Sequence, residues 1–466
     1  LDRPPGTPVW LLPVRHDHGG VVPAGQQPQS HGCRDRRQHH QRLSLWLLPP
    51  GTQGHSCAGH GIRSTTMKMN RRKFLLGTAV AGGGLLVGYS VTRPSRHRLA
   101  NRELVSGDER YLTSFIRIDP DNKVTIYVPH SEMGQGTHTG LGMMAADELD
   151  AAWEDVSIEQ APAIDLFANG DLVRGFAGEF GVPGFLMGLV NASAFTVAEI
   201  MNLQITGGSS SIRYTGETAM RPAGAGARQM LLQAAAAELA VPVAELTTAL
   251  GHVHHNASGR SLSYGELAAT AAELEPPSDV TLKDPSQFTI MGKALSRRDI
   301  PAKVDGTAMY GLDAHSDDML YAALQLAPVF GSKPVSVNAD AVLQRRGVKK
   351  VVQLEDGVAV VADNYWRAKE ALRVMEVEWE NTANDSVSSA TLAQHFDARL
   401  AEDDGSKDFE SGDAEAALAA ASDTLEASYR VPYLAHAAME PMNCTVHIQG
   451  DRAEMWTSTQ DALGIK

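Results

Sequence analysis

The first regular pattern in the chain is an alternation of apolar and polar positions from Ser114 to Val128. It is interrupted by the four residues from Asp119 to Asn122, a composition that favours a tight turn. Two strands on either side of such a turn form a β-hairpin, so a hairpin is expected here. A further strand is expected in the segment VSIEQAP, which follows some thirty positions later.

Helical spacing replaces the alternation in three later segments. The stretch after the hairpin predicts a helix that ends near Trp153, and an Ala-rich stretch predicts a second helix from about Ala223 to Ala240, stopped before Pro242. A short third helix is expected to start near Ser263. Residues 163–206 are rich in Phe and Gly, and their pattern does not decide between helix and strand.

Short strands and one helix follow a linker that begins at Pro276. KKVVQL and GVAVVAD have the apolar character of buried strands, NYWRAKEALRV the pattern of an amphipathic helix and MEVEWE the alternation of an edge strand. Residues 381–415 are polar and acidic, as in a linker that contains one helix. This mixture of strands and helices predicts the α+β class.

The charge of the chain excludes one class of partner. The chain has 41 basic and 55 acidic residues, and residues 1–66 contribute 7 Arg and 3 Asp, which leaves 34 basic and 52 acidic residues and a net charge of −18. Such a chain is not expected to bind nucleic acid or anionic membrane surfaces through its general field. Cys444 is the only cysteine after residue 66, so this part cannot ligate an iron–sulfur cluster with its own cysteines. Any electron-transfer centre then belongs to a partner.

Residues 67–98 resemble an export signal in their order of charge and hydrophobicity. Two arginines, Arg71 and Arg72, precede Phe74 and the uncharged 17-residue run Leu75–Val91, which is diluted by Gly and Ala. This order is typical of a twin-arginine signal, and it predicts a periplasmic protein or one anchored in the membrane and facing the periplasm. The run is at the lower limit for a membrane span and has no clear cleavage site, so cleavage and retention both stay open. A basic cluster beside a buried cytoplasmic helix is the alternative.

Residues 1–66 have a composition unlike the rest of the chain. They lack Lys, Glu, Asn, Met, Phe and Tyr, yet they hold 7 of the 17 histidines and two of the three cysteines, Cys33 and Cys57. Too few apolar residues recur at regular spacing to build a core, and no Cys-x-x-Cys spacing supports a metal site. Because an export signal works at the N-terminus, we expect residues 1–66 to be disordered and the protein to start at Met67 or Met69.

Two glycine-rich loops are the candidate ligand-binding residues. Glycine lets backbone N–H groups approach the oxygens of a phosphate or pterin, and a following helix N-terminus adds favourable potential. A plain turn explains the first loop as well, and a flexible linker explains the second, but two such loops together favour a pyrophosphate-type ligand. The candidate cofactor-binding residues are Gly134, Gln135, Gly136, Gly207, Gly208, Ser209, Ser210 and Ser211.

Two groups that contain histidine have weaker support. His252, His254 and His255 lie between Gly- and Asn-containing segments, which favours a solvated turn over a metal site. His436 and Glu440 have helical i,i+4 spacing, but a proline follows Glu440 at once and ends any helix there. They either orient a ligand or form a hydrogen-bonded structural pair.

Seven stretches between residues 110 and 466 carry a family resemblance. They are SEMGQGTHTGLGMMAADELD, GGSSSIRYTGETAMRPAGAGARQML, FTIMGKALSRRDIPAKVDGTAMYGLD, MLYAALQLAPVFG, GVAVVADNYWRAKEAL, VPYLAHAAMEPMNCTV and WTSTQ. Taken in this order they resemble the large molybdopterin-binding subunit of the xanthine dehydrogenase/aldehyde oxidase family. The similarity is greatest to the isoquinoline 1-oxidoreductase beta-subunit type, in which part of the cofactor domain comes first.

The resemblance implies a fold with an insertion. Residues 99–290 would form a molybdopterin-binding segment of mixed sheets and helices, and residues 291–380 an inserted a/b hammerhead domain. An acidic linker, 381–415, would lead to the start of a further molybdopterin-binding domain, 416–466.

The resemblance also implies a chemistry. The family hydroxylates an aldehyde or an N-heterocycle with oxygen taken from water. The implied cofactor is molybdopterin, as molybdopterin cytosine dinucleotide or a similar form, held at the two loops. Electrons would leave through [2Fe–2S] clusters in a small partner subunit, with a cytochrome as a candidate acceptor after it.

A shifted reading frame can explain the unusual composition of residues 1–66. Back-translation of Trp10–Gly19, read in a frame shifted by one nucleotide that starts inside Val9, yields Cys-Gly-Tyr-Cys-Gln-Ser-Gly-Met-Ile-Met with suitable third bases. The same shift applied to Arg42–Ser56 yields Val-Cys-Arg-Cys-Gly-Tyr-Phe-Pro-Arg-Val-Arg-Lys-Ala-Ile-His. Both translations resemble the cysteine motifs of the small [2Fe–2S] subunit of molybdenum hydroxylases. We therefore expect residues 1–66 to be an upstream gene read out of frame.

The sequence departs from the family towards its end. The family's Gly-Gly-Gly-Phe-Gly-Arg-Arg segment and its catalytic glutamate have no counterpart before Lys466, and Glu440 is not a substitute. We therefore expect a C-terminally incomplete chain that is inactive alone, and no catalytic base is assigned. The alternative from another class is a non-catalytic remnant or scaffold that binds the iron–sulfur partner. A nicotinamide dehydrogenase is disfavoured because the strand–glycine–helix fingerprint is missing.

Overall fold

The computed structural model describes the backbone of Trp10–Leu11 and residues 94–466 other than 180, 278, 403–404, 407–408 and 410. The chain divides into two compact units: the first comprises Thr65–Ala308 and Thr459–Lys466, and the second Leu1–Ser64 and Met309–Ser458. The predicted out-of-frame segment and export signal lie outside the described residues, apart from Trp10–Leu11 and 94–98. Within the described part, no helix has the length and apolar character needed to cross a membrane.

The elements are numbered in chain order. The strands are β1 Trp10–Leu11, β2 Arg110–Thr113, β3 Ile116–Ile118, β4 Val124–Val128, β5 Val156–Gln160, β6 Leu246–Ala249, β7 His252–His255, β8 Arg260–Ser263, β9 Leu320–Leu326, β10 Pro334–Val337, β11 Val348–Gln353, β12 Gly357–Ala362, β13 Val377–Trp379, β14 Cys444–Gln449 and β15 Arg452–Thr457. The helices are α1 Arg96–Glu103, α2 Thr137–Leu149, α3 Gly170–Glu179, α4 Gly184–Ile200, α5 Ser209–Thr215, α6 Arg221–Leu239, α7 Tyr264–Ala272, α8 Ile300–Asp305, α9 Ala339–Leu343, α10 Tyr365–Arg373, α11 Ser389–Leu400 and α12 Ala414–Ala420. A π-helical segment, Gly216–Met220, joins α5 to α6.

The first unit packs helices against a four-stranded sheet of order β2–β3–β4–β5. The predicted hairpin is confirmed: β3 and β4 pair antiparallel, and Asn122 takes a positive φ of 71° in the turn. Because α2 lies between them in the chain, β5 can join β4 in parallel, as observed. The predicted helices are confirmed as α2, α6 and α7, although α2 ends at Leu149, earlier than expected. Ser263 caps α7 in a capping box with Glu266.

Two local predictions for this unit are wrong. Ser209, Ser210 and Ser211 do not belong to a loop but form the first turn of α5, which continues through the π-helical segment into α6. Packing against the core decides this, because Thr215 and its neighbours are buried there. The segment HVHH is strand β7 rather than a solvated turn, and burial alternates along it, with Val253 buried. The undecided residues 163–206 contain α3 and α4.

The second unit is built on a six-stranded sheet of order β11–β12–β9–β1–β14–β15. Helix α10 packs on it through Ala368, which contacts Ala323 and Ala362. Strand β12 is wholly buried as predicted, but β11 is half-exposed because it is the outer strand of the sheet. Strand β13 pairs with β10 in a two-stranded sheet, which confirms its edge position. The unit therefore mixes strands and helices, as the first does, and the α+β class is confirmed.

The crossing of α2 and α6 in the first unit allows no side chain at Gly224. A Cβ added there would lie 2.2 Å from the backbone oxygen of Ala145 in α2. Lys283, from the segment before α8, is buried beside the same helix and bonds the Asp150 carboxylate at 2.6 Å and the backbone oxygen of Asp147. The close approach at Gly224 packs α2, whose N-terminus carries the first candidate loop, against α6, which continues from the second.

Candidate functional site

The first candidate loop connects β4 to α2. Gly134 and Gly136 have φ angles of +99° and +83°, which residues with a Cβ rarely adopt. Gly136 is the N-cap residue of α2. A Cβ added at Gly134 would meet no atom within 4 Å, so this backbone faces open space that a ligand can enter.

The N–H groups of this loop are already bonded to the Glu132 carboxylate. Its Oε1 accepts from the N–H of Gly134 at 2.8 Å and of Gly136 at 3.0 Å, and its Oε2 accepts from the N–H of His138 at 3.1 Å. Burial by itself would raise the pKa of Glu132, but the three N–H groups outweigh it and hold the pKa below its ordinary value. An ionised carboxylate therefore lies at the helix N-terminus, where an anionic ligand would otherwise bind.

Gln135 closes the same turn with its side chain. Its Nε2 donates to the backbone oxygen of Ser131 at 2.9 Å, and its Oε1 accepts from the N–H of Met133 at 2.6 Å. A primary amide has two N–H groups and two lone pairs, so one of each remains for a ligand. The residue is exposed, which leaves these groups accessible.

Arg297 ties the loop to the segment that precedes α8. Its Nη1 donates to the backbone oxygen of Gly134 at 2.7 Å, and its Nη2 donates to Glu132 Oε1 at 3.1 Å. Asp299 binds the same guanidinium through two hydrogen bonds of 2.9 and 2.6 Å and also accepts from Lys303 at 2.6 Å. The hydrogen bonds from the Arg297 guanidinium lower the pKa of Asp299 most, and the hydrogen bond from Lys303 lowers it further.

The second candidate loop is only two residues long before α5 begins. Gly207 has a φ of +58°, and a Cβ there would lie 3.0 Å from Ser211 Oγ, so this position requires glycine. Gly208 is extended, and a Cβ there would meet nothing within 4 Å. In the described part of the chain, no group accepts a hydrogen bond from the N–H of Gly208, Ser209 or Ser210. This loop therefore offers free donors at the surface.

The two loops are joined to each other by one hydrogen bond. The N–H of Ser131 donates to Thr206 Oγ1 at 2.8 Å. The C-terminal segment of the first unit bonds both loops, because Ser131 Oγ donates to the oxygen of Thr459 at 2.7 Å and the N–H of Thr206 donates to the oxygen of Gln460 at 2.7 Å. Leu463 anchors that segment in a small apolar cluster. Three segments distant in the chain thus meet at one site.

A buried polar cluster lies next to the point where the two loops are joined. His130 Nε2 lies 2.7 Å from Thr215 Oγ1, and Asn169 Nδ2 donates to the same hydroxyl at 2.8 Å. All three residues are fully buried. Burial, with the nearby His138, lowers the pKa of His130 to about 4, so its imidazole is neutral at neutral pH. The cluster connects the start of the first loop to the end of α5.

The remaining predicted residues lie elsewhere, and two of them, His255 and Glu440, have structural partners. His255 is buried in β7, where its Nδ1 lies 2.7 Å from Ser258 Oγ and its Nε2 lies 3.1 Å from Glu245 Oε2. Glu440 belongs to the second unit and accepts from the N–H of Gly311 at 3.0 Å.

Sequence reasoning missed the side chains that hold the loops together. Glu132, Thr206 and Arg297 carry the connecting hydrogen bonds, and His130 lies beneath them. For Glu132 a signal exists in the sequence, because it lies four residues before the N-cap Gly136 and a carboxylate near a helix start is favoured. For the other three residues, the partners are too distant in the chain to leave a local pattern.

Family models match the chain twice, each time as a molybdopterin cofactor-binding domain. The first match covers residues 63–171 and includes the first loop. The second covers residues 397–466 and includes Thr459 and Gln460, which bond the two loops. The second loop lies outside both matches.

Three relatives extend the comparison over most of the chain. The chain is 31% identical over 370 residues to the beta subunit of isoquinoline 1-oxidoreductase from Brevundimonas diminuta, covering 71% of this chain and 43% of that protein. It is 28% identical over 332 residues to the membrane-bound aldehyde dehydrogenase (pyrroloquinoline-quinone) of Gluconacetobacter polyoxogenes, covering 68% and 38%. It is 27% identical over 390 residues to a nicotinate dehydrogenase subunit from Pseudomonas putida, covering 81% and 29%. The chain spans less than half the length of each.

Proposed function

Because the chain belongs to the xanthine dehydrogenase/aldehyde oxidase family of molybdopterin-binding subunits, we propose that it is the large subunit of a molybdenum hydroxylase. Its reaction would oxidise an aldehyde or an N-heterocycle with oxygen taken from water. The observation that carries the proposal is the meeting of two glycine-rich loops at the hydrogen bond from Ser131 to Thr206. The backbone of Gly134 in the first loop and of Gly208 in the second is open to a ligand.

The residues of the two loops fit a molybdopterin cofactor. The free N–H groups of Gly208, Ser209 and Ser210, with the serine hydroxyls, suit phosphate oxygens. Gln135 keeps a donor and an acceptor that match the adjacent donors and acceptors of a pterin ring. We propose the cytosine dinucleotide form, whose pyrophosphate would occupy more of these donors than a single phosphate. When bound, the cofactor would supply the two-electron oxidation of the substrate.

The proposal includes a partner and a location. Cys444 is the only cysteine between residues 67 and 466, so electrons would pass to [2Fe–2S] clusters in a small partner subunit and from there to a cytochrome. The twin-arginine pattern at Arg71 and Arg72 supports a periplasmic location, free or membrane-anchored. Such a route suits a protein that folds around its cofactor before export.

We further propose that residues 291–380 form the inserted a/b hammerhead domain of the family. The antiparallel strands β9, β12 and β11 with α10 packed beside them support this assignment.

The test is the molybdenum and pterin content of the full chain, purified from a host that makes the cofactor and the small iron–sulfur subunit. Gly208→Val fills the open space above the second loop, and its extended backbone accepts a β-branched residue. We expect this variant to retain about a tenth of the cofactor or less. Gly140→Ala is the matched control, because an added Cβ in α2 meets nothing within 4 Å. It should bind the cofactor normally.

Two results would count against the proposal. Full cofactor content in Gly208→Val would move the binding site away from the second loop. Wild-type protein that contains no molybdenum, yet still binds the iron–sulfur subunit, would favour a non-catalytic scaffold.

A further inference from the structure

The backbone N–H groups of the first loop are already bonded to a side chain of the protein itself. Three N–H groups, of Gly134, Gly136 and His138, converge on the Glu132 carboxylate at 2.8 to 3.1 Å. Hydrogen bonds to an ionised acceptor are about twice as strong as neutral ones. The Glu132 side chain is 7% exposed, so little water competes for it. A phosphate could use these N–H groups only by displacing a carboxylate that is bound at three points.

The charges around the loop also balance without a ligand. Glu132 pairs with Arg297 at 3.1 Å, Arg297 pairs with Asp299 at 2.6 Å, and Asp299 pairs with Lys303 at 2.6 Å. Two negative and two positive groups leave no net positive charge to attract an anion. The positive potential at the N-terminus of α2 is likewise opposed by the Glu132 carboxylate.

The hydrogen-bonding groups that remain free in the first loop are uncharged. The Gln135 amide has a free donor and a free acceptor, and the backbone at Gly134 faces open space. These groups suit an uncharged ring with donors and acceptors on its edge. A phosphate beside the buried Glu132 carboxylate would instead be repelled.

We propose that Glu132 is a positioning residue, a built-in anion that keeps phosphate out of the first loop and reserves it for the uncharged pterin part of the cofactor. The inference rests on the proposed function, because it assigns one part of the proposed cofactor to one loop. It is specific to the Glu132 carboxylate and requires no catalytic role for it.

The test uses the cofactor-free full chain and two probes, unsubstituted pterin and inorganic phosphate. Wild-type protein should bind pterin, measured by quenching of pterin fluorescence, and phosphate should not compete. Glu132→Ala vacates the N–H groups, so pterin affinity should fall about tenfold. Acetate should bind in the vacated position and restore pterin binding, relative to chloride at equal ionic strength. Phosphate should raise the melting temperature of Glu132→Ala by more than that of the wild type, because the wild type offers phosphate only the second loop.

Glu266→Ala is the matched control for loss of a structural carboxylate. Glu266 also accepts a backbone N–H at the start of a helix, from Ser263 at 2.7 Å, but it lies away from the loops in α7. Both Glu266→Ala and Glu132→Ala should melt at a lower temperature than the wild type, but Glu266→Ala should bind pterin like the wild type. It should show no response to acetate.

The outcomes separate this inference from the proposed function. Phosphate that competes with pterin in the wild type would overturn the inference, because Glu132 would then be a placeholder that the ligand displaces. Unchanged pterin affinity in Glu132→Ala would overturn it too. The proposed function stands or falls separately on the molybdenum content of the wild-type protein.

Discussion

Gly224 is the position at which a single methyl group should change the first unit most. The residue lies where α6 crosses α2, and an added Cβ would be 2.2 Å from the Ala145 backbone oxygen and 2.9 Å from Glu148 Cβ. Backbone atoms cannot rotate away as a side chain can. Gly224→Ala must therefore push the two helices apart by roughly 1 Å to reach ordinary contact distance.

The magnitude follows from two opposing effects. Overpacking a tight core costs about 1–3 kcal/mol and sometimes more, while alanine in place of glycine favours a helix by about 1 kcal/mol. We expect Gly224→Ala to lower the free energy of unfolding by about 0–2 kcal/mol, the overpacking cost less the helix gain. Gly226→Ala is the internal control, because its Cβ would meet Pro277 at 3.7 Å and Val280 at 3.9 Å, which are ordinary contacts. That variant should be more stable than the wild type by about 1 kcal/mol.

The assay is urea unfolding of the full chain, followed by hydrogen exchange of peptides from α2 and α6. These peptides report the first unit alone, so unfolding of the second unit does not mask the effect. Equal stability of Gly224→Ala and Gly226→Ala would refute the reasoning, because only the backbone clash distinguishes them. Because α2 and the α5–α6 helix each carry one loop, Gly224→Ala should also reduce cofactor content.

Two further predictions concern buried charge. The pKa of His130 falls from 6.5 to about 4 on folding, so the unfolded chain binds a proton at a higher pH than the folded chain does. The contribution of neutral His130 to the free energy of unfolding should therefore be fully present above about pH 6.5. It should fall by about 2 kcal/mol when the pH is lowered to about 5. Urea unfolding of wild type and His130→Gln at the two pH values checks this, and an identical pH dependence in both would contradict it. Lys283→Met breaks the buried pairs with Asp147 and Asp150 and should cost about 3 kcal/mol of unfolding free energy. Arg98 forms an exposed ion pair with Glu275, and Arg98→Met should lower the free energy of unfolding by less than about 1 kcal/mol. Equal losses of unfolding free energy in Lys283→Met and Arg98→Met would show that burial of the ion pair does not matter.

Elements that have their turn, capping or apolar residues close together in the sequence were mostly predicted. The hairpin of β3 and β4 has its turn residues in the sequence, and α7 has a capping box at Ser263. Strand β12 is apolar along its length, and it is buried. The errors occurred where tertiary packing overrides local preference. Serines favour turns, yet Ser209–Ser211 start a helix, and a histidine-rich segment became β7 because its alternate positions pack inward.

The candidate site could be predicted only in parts. Each glycine loop is recognisable in the sequence, because the glycines are needed for positive φ or open backbone. The bond that joins the loops links positions 75 residues apart, and no spacing rule indicates it. Whether an N–H group is free depends on side-chain geometry, so the occupation of the first loop by Glu132 could not be predicted from composition.

The bond between Ser131 and Thr459 also sets an order of events during synthesis. Its two partners are 328 positions apart, and both loops depend on the segment that contains Thr459. At about 5–20 residues per second, roughly 15 to 65 s separate the synthesis of the first loop from that of the residues that complete it. For most of this interval the nascent chain carries both glycine loops without their third segment. Cofactor insertion is therefore expected to be a late, post-translational step, and a ribosome-bound chain stalled before Thr459 should not retain molybdopterin.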